Sequence, residues 1–368
     1  MSIADSGADG GTSVNADDAT LSSFEALHAL EPRGRASAAR AGTGAAPWPE
    51  AIRVTIMLGR PRTCIPGVIA YALGFTMVHH WLSGYFLFGI FMVLVAGLLA
   101  NLYNVCTDLD EDSQNLPERL WLVLRIGYRR LCWITCALSL IVAAGALVYG
   151  LPYFVFALVV LLGVHQYSYP PLRLKARPLL GLLGFSLAVF GPFLLGYFGA
   201  LRAVRWPSRS ALEILAFLII WFVAKGMMKN IPDYGGDRSA GLRTSATVFP
   251  TYRAAAVAAT AGTLIAYLSL PAFVLAGAAP LRVLGAMPWA AVALWNCRAM
   301  VASAGDRHTA NQILKRDMWL STGFLISVLL LASPSWPSLV AVVFGAAVLS
   351  GSDLLAWDSR RTVRASGN

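Results

Sequence analysis

NLYNVCTDLDEDSQNLPER, residues 101–119, sets Asp108, Asp110, Glu111 and Asp112 directly behind the apolar run 84–106. If the helix of that run continues, Asn104, Asp108 and Asp112 follow at i, i+4 and i+8 and lie along one face. Asn101 stands one turn earlier, so the polar stripe begins inside the apolar segment. Asp110 and Glu111 fall on other faces, where solvent would take them. In KNIPDYGGDRSAGLRT, residues 229–244, Asp233 and Asp237 are again four apart behind an apolar run. Pro232 can start or kink a helix there, while Gly235 and Gly236 loosen the turn between the two acids.

The rest of the chain makes these acids conspicuous. Of 368 residues, 57% are hydrophobic and 13% charged, against about 25% charged in soluble domains. Mean hydropathy is +0.63. Ten apolar segments, near 55–78, 84–106, 130–149, 152–169, 180–200, 211–229, 252–277, 281–301, 317–333 and 336–357, approach the roughly 20 residues that cross a bilayer core. The expected fold class is an all-α polytopic membrane protein. Only SPSWPS separates the last two segments, so nine spans and a re-entrant segment would also fit. The five cysteines lie in or beside apolar segments and are expected to be small packing residues. Residues 1–47, rich in Ala, Gly, Ser and Asp, are expected to be disordered. They lack the continuous apolar core of a secretory signal, and Asp5, Asp9, Asp17 and Asp18 are foreign to an organelle transit peptide.

The net charge of +10 is distributed by loop. With the N-terminus inside, the inner loops carry Arg119, Arg125, Arg129 and Arg130, then Arg173, Lys175 and Arg177. Arg238, Arg243 and Arg253 follow, then Arg298, Arg307, Lys315 and Arg316, and finally Arg360, Arg361 and Arg364. The outer loops carry only Arg202, Arg205, Arg209 and Arg282. This is the positive-inside pattern, so the charge reports topology and no nucleic-acid partner is expected. The expected setting is a lipid bilayer, the cell membrane, with the N-terminus and both acidic stretches on the cytoplasmic side.

Beyond residue 50 there are twelve carboxylates, and seven of them are Asp108, Asp110, Glu111, Asp112, Glu118, Asp233 and Asp237. Two carboxylates one turn apart raise each other's pKa unless a cation sits between them. The hard cation that suits carboxylates together with substrate phosphates is Mg²⁺. The residues themselves point to a diphosphate held through Mg²⁺ at the inner membrane face. The plainer alternative is solvated loop acids paired with Arg119, Arg238 and Arg243. A cation transporter would hold its ionisable groups near the midplane on broken helices, whereas these acids sit at helix ends.

NVCTDLDEDSQNLPER, residues 104–119, resembles the first signature of the UbiA-type intramembrane prenyltransferases, N-D-x-x-D-x-x-x-D followed by N-x-P-x-R, through Asn104, Asp108, Asp112, Asn115, Pro117 and Arg119. IPDYGGDRSAGLRT is similar to the second, D-x-x-x-D, in its D-x-x-G-D-R-x-x-G-x-x-T form. YSYPPLRLKARP, residues 167–178, resembles the family's Y-S-x-P-P-x-x-x-K loop, and GRPRT, residues 59–63, its R-P-x-T. Val105 departs where an acid is usual, and Asn230 where many relatives have Asp.

The resemblance implies nine transmembrane helices around a central cavity over 48–333, with 334–368 left as an extra tenth span and a basic tail. It implies one Mg²⁺ held by Asp108 and Asp112, with Asn104 as a neutral ligand or orienter, and a second held by Asp233 and Asp237. Arg60, Lys175, Lys229 and Arg238 are the expected diphosphate contacts. The implied reaction ionises a prenyl diphosphate to an allyl cation and transfers the prenyl group to an acceptor, aromatic or quinone-like. A terpene cyclase, which turns the cation back on its own chain, is the alternative that the altered Val105 and Asn230 keep open. Tyr103, Tyr167, Tyr169 and Tyr234 lie near the motifs, where aromatic faces could meet the cation. The glycines of 181–199 would border the isoprenoid tail or simply let helices pack closely.

Overall fold

A computed structural model describes residues 24–357, and all of its regular structure there is helical. Two short helices, α1 (Phe24–Ala29) and α2 (Pro32–Ala41), precede α3 (Trp48–Gly59) and α4 (Ile65–Thr76). The long α5 (Gly84–Thr107) leads into α6 (Leu109–Asn115) and α7 (Pro117–Ile126). Then come α8 (Tyr128–Ala146), α9 (Leu151–Ser168), α10 (Pro178–Leu201), α11 (Arg209–Asn230) and the single-turn-scale α12 (Tyr234–Ser239). The chain closes with α13 (Tyr252–Leu275), α14 (Pro288–Ala302), α15 (Arg307–Ala332) and α16 (Trp336–Leu354).

Among the described residues, seven helical stretches are long and apolar enough to cross a membrane: α5, α8 with its 3-10 extension, α9, α10, α11, α13 and α16. The other three expected segments differ for local reasons. The first is broken: Arg60 adopts a left-handed conformation (φ 52°) and a 3-10 turn, Pro61–Cys64, separates α3 from α4. Pro61 disfavours helical geometry at the residue before it. Asn101 on α5 holds the break, its side-chain N–H group donating to the Gly59 carbonyl at 2.8 Å and lying 3.0 Å from the Thr63 hydroxyl. The eighth is split between a 3-10 segment, Leu281–Ala286, and the 15-residue α14. The ninth, α15, carries charges through its first half.

The apolar exterior follows from the solvent around it. Leu140 and Leu162 are 71% and 59% exposed, as lipid-facing side chains of a bundle would be. Inside, Trp221 stacks on Phe324 at 5.7 Å between ring centroids, and Tyr267 meets Phe324 edge-on at 4.7 Å. The α4–α10 crossing brings backbones together. A Cβ on Gly196 would lie 2.0 Å from the Tyr71 carbonyl oxygen, so close packing is one role of the Gly-rich span. The extra C-terminal helix α16 packs along α4 and places Asp353 against Arg62 at 3.1 Å and Lys315 at 3.3 Å.

The N-terminal expectation needs correction. Residues 24–41 are helical, because tertiary contacts order a composition that reads as disordered. Ala36 and Ala39 of α2 and Leu27 of α1 are buried. Arg35 donates to the Ser113 carbonyl at 3.1 Å, and Arg40 pairs with Asp110 at 2.6 Å. The remainder of the expected tail, residues 1–23, and the basic end, residues 358–368, lie outside the described residues.

Candidate active site

The two acidic stretches, more than a hundred residues apart, line one cavity of about 340 Å³. Around it stand Asn104, Asp108 and Asp112 from the α5–α6 joint and Asp233 and Asp237 from the end of α11 and α12. Arg60 enters from the break before α4, Lys175 from the 3-10 turn Leu174–Ala176, and Lys229 from α11. Arg238, expected to touch diphosphate, is not among the lining residues. Its guanidinium donates instead to the Tyr234 hydroxyl at 2.5 Å and the Pro250 carbonyl at 2.7 Å.

Although α5 ends at Thr107, the i→i−4 ladder runs on through the joint. Asp108 N–H donates to Asn104 O at 2.9 Å and Asp112 N–H to Asp108 O at 2.7 Å. The expected common face of Asn104, Asp108 and Asp112 is therefore present. Asn104 Oδ1 accepts from the Ser168 hydroxyl at 2.5 Å, which ties the stripe to the end of α9. Asp108 accepts from Thr107 Oγ1 at 2.7 Å and pairs with Lys175. Arg119 Nη1 bridges both oxygens of Asp112 at 3.0 and 2.7 Å, with both side chains buried.

On the opposite wall, Asp237 accepts from Asn115 Nδ2 at 3.3 Å. Only glycine permits that approach, since a Cβ on Gly236 would sit 1.7 Å from Asn115 Oδ1. Asn230, the second departure from the family pattern, donates to Ser245 Oγ at 2.8 Å.

Electrostatics polarises the cavity in two senses. Burial first, then the neighbouring Asp233, pushes the Asp237 carboxyl up to about 7, against the pull of Thr244, Lys229 and Asn115. Burial first, then the neighbouring Lys229, pulls the Lys175 ammonium down to about 7. Asp237 works against that shift, and so does the contact with Asp108. The Asp237 carboxyl and the Lys175 ammonium each resist their charge here, so one would gain from a bound cation and the other from a bound anion.

Whether the residues fit Mg²⁺ follows from the donor set. Among the described residues no group of three or more His, Cys, Asp or Glu side chains converges on a point. The donors are pairs of hard oxygens, the kind Mg²⁺ uses when water and phosphate complete its shell. Asp237, met by the Asn115 amide, presents such an oxygen beside Asp233. Asp108 fits once Lys175 moves from carboxylate to a bound anion.

Other expectations are revised by the geometry. Glu111, expected to face solvent, lines the cavity and pairs with Arg173. Asp110 is at the surface as expected. Of the four tyrosines, Tyr167 alone lines the cavity; Tyr169 stacks on His165 and Tyr103 meets that ring edge-on. Sequence reasoning passed over Lys225 and Asp317, which meet at 2.9 Å on the cavity wall. The available signal was Lys225 inside the apolar segment 211–229, one turn before its end at Lys229, since charges at membrane depth are functional candidates by default.

Residues 63–322 match the UbiA prenyltransferase family. The chain is 27% identical to a digeranylgeranylglyceryl phosphate synthase from Thermococcus gammatolerans over 210 residues, 56% of this chain and 73% of that protein. Its fold is similar to that of a UbiA homolog from Archaeoglobus fulgidus bound to GPP and Mg²⁺, with a TM-score of 0.58 at 20% identity over 81% of this chain and 99% of the other. It is also similar to a structure concerning digeranylgeranylglyceryl phosphate synthase in membranes, with a TM-score of 0.53 at 16% identity over 77% and 99%. The family match spans most of the chain and contains both acidic stretches, so the protein is a membrane-embedded member of the UbiA prenyltransferase family.

Proposed function

We propose that the chain binds a prenyl diphosphate with Mg²⁺ at the cytoplasmic mouth of its cavity, ionises it to an allyl cation and transfers the prenyl group to an aromatic or quinone-like acceptor. The observation that carries this reading is the pairing of mutually repelling carboxylates with mutually repelling ammoniums on one cavity. A metal-bound diphosphate answers both demands. The Archaeoglobus homolog bound to GPP and Mg²⁺ supports it by analogy.

Asp108 and Asp112, oriented through Asn104, would hold one Mg²⁺, and Asp233 and Asp237 the other. Bound there, Mg²⁺ would neutralise the charge that develops on the departing diphosphate. Lys175, Lys229 and Arg60 donate to the diphosphate oxygens from the surrounding wall. Arg119 fixes the Asp112 carboxylate, and Ser168 fixes the Asn104 amide. Below them, Trp221, Phe222 and Phe185 offer apolar and π surface that excludes water from the cation. The positive-inside pattern of the basic loop ends around this mouth supports a cytoplasmic side for it.

Cyclisation of the same donor remains the second reading, favoured by Val105 and Asn230 at positions where many relatives carry acids. The test uses protein in nanodiscs with Mg²⁺ and geranyl, farnesyl or geranylgeranyl diphosphate, without and with aromatic acceptors. Product analysis by mass spectrometry should find prenylated acceptor and no turnover without it. Cyclic hydrocarbon formed without acceptor would replace transfer by cyclisation. Absence of Mg²⁺-dependent diphosphate release throughout would end both readings.

A further inference from the structure

Lys225 on α11 and Asp317 on α15 form a salt bridge of 2.9 Å, with side chains only 6% and 4% exposed. Both line the cavity. Lys225 precedes Lys229 by one turn of α11, roughly 6 Å at 1.5 Å per residue, so the pair lies below the mouth that Lys229 borders. The Ser321 hydroxyl stands 3.5 Å from Asp317 Oδ2. One turn from Lys225, Trp221 also lines the cavity, and its indole N–H is buried with no hydrogen-bond partner among the described residues. A buried donor without an acceptor is costly unless something else supplies one.

The α11–α15 contact already contains the Trp221–Phe324 stack, and Tyr267 adds to it from α13. Well-packed apolar residues commonly replace a buried ion pair without loss of stability. A charged pair kept in an apolar cavity wall therefore asks for a polar ligand. Its character follows from charge balance. The pair is neutral in sum, so an added carboxylate or phosphate would compete with Asp317 for Lys225 and leave net negative charge among apolar helices. An ammonium would do the converse. A hydroxyl donates one hydrogen bond and accepts another, and so meets Asp317 and Lys225 together without changing the balance.

We propose that Lys225, Asp317 and Trp221 form the acceptor-recognition site, which holds the neutral hydroxyl of a lipophilic acceptor below the diphosphate. The hydroxyl donates to Asp317 and accepts from Lys225, while Phe222 and Met318 border the apolar body of the molecule. This inference rests on the transferase reading, because a cyclase has no acceptor to recognise.

The test measures binding of 1-naphthol, 1-methoxynaphthalene and 1-naphthoate by fluorescence to the full chain in nanodiscs. Partition into protein-free nanodiscs is subtracted. Mg²⁺ and geranyl S-thiolodiphosphate, an unreactive donor analogue, occupy the mouth. Wild-type protein should bind 1-naphthol at least about tenfold tighter than its methyl ether, the effect of one hydrogen bond to a charged group. The ether should not discriminate between wild type and the paired variant Lys225→Met with Asp317→Leu, which leaves no lone charge behind. In that variant the preference for naphthol should vanish while Mg²⁺-dependent binding of the thiolodiphosphate persists.

Equal binding of naphthol and ether to wild type would overturn the proposal without any variant. So would a preference that survives the double substitution, or naphthoate binding tighter than naphthol. Failure of the thiolodiphosphate to bind in a Mg²⁺-dependent manner would instead strike the proposed function, and the naphthol comparison would stand apart from it.

Discussion

Asp112 is clasped by Arg119 and Asp108 by Lys175, whereas Asp237 is met by an amide and a hydroxyl, Asn115 and Thr244, with a like-charged neighbour in Asp233. The two stretches share one spacing and differ in what balances them. Cations of the chain itself hold the first pair in place. At the second pair Lys229 pulls against burial and the neighbouring Asp233, and the Asp237 carboxyl still stands at about 7. One cavity thus combines a preformed wall with a wall that gains most from its ligand.

Substitutions should separate the two walls. Asp237→Asn is expected to abolish turnover, by about a thousandfold or more if one charge-stabilising ligand is worth roughly 4 kcal/mol. The same change should raise the melting temperature of the metal-free protein. A carboxyl whose folded-state value lies near 7, above its ordinary value of 3.8, costs stability increasingly as pH rises between those values, and Asn removes that cost. Arg119→Leu should do the reverse to the fold. It leaves Asp112 buried without its guanidinium and should destabilise by about 3–5 kcal/mol, read as a fall in melting temperature. A destabilised Asp237→Asn protein, or an unaffected Arg119→Leu protein, would erase the distinction.

Mg²⁺ activation should carry the same signature in its pH dependence. Metal must displace the proton that Asp237 holds near pH 7, so the Mg²⁺ concentration for half-activation should rise by about tenfold from pH 8 to pH 6. Activation independent of pH over that window would place the metal away from Asp237. The smallest effect belongs to the surface acid beside the first stretch. Arg40→Ala, which breaks a largely exposed pair with Asp110, should change stability by less than about 1 kcal/mol and leave turnover alone.

The parts of this site that follow helical periodicity were legible before the structure. Asn104, Asp108 and Asp112 share a face because four-residue spacing on a helix requires it, and the hydrogen-bond ladder carries that spacing past the end of α5. The inner-face placement of both acidic stretches was legible from their loops, and a central cavity between them from the family resemblance. Long-range partners were not. The break at Arg60 is held by Asn101, which reaches Gly59 forty-two positions away, and the Lys225–Asp317 pair joins residues ninety-two apart. Neither residue of that pair carries a local signal of its partner. Residues 24–41 read as disordered because their composition is poor in large apolar groups. Their order comes from docking, through Arg35 on Ser113 and a buried alanine face. Arg238 misled for the opposite reason: it occupies a motif position, yet Tyr234 and Pro250 hold it away from the cavity.

The proposed role of the acids is to hold metal so that the lysines and the metal together hold diphosphate. Its most direct measurement is the affinity of geranyl S-thiolodiphosphate for the purified protein by calorimetry, with Mg²⁺ and again in EDTA. Mutual dependence predicts binding at least about a hundredfold weaker without Mg²⁺, a coupling of about 2.7 kcal/mol. Equal affinity in the two conditions would mean that the lysines bind diphosphate alone and that the acidic stretches serve some other purpose.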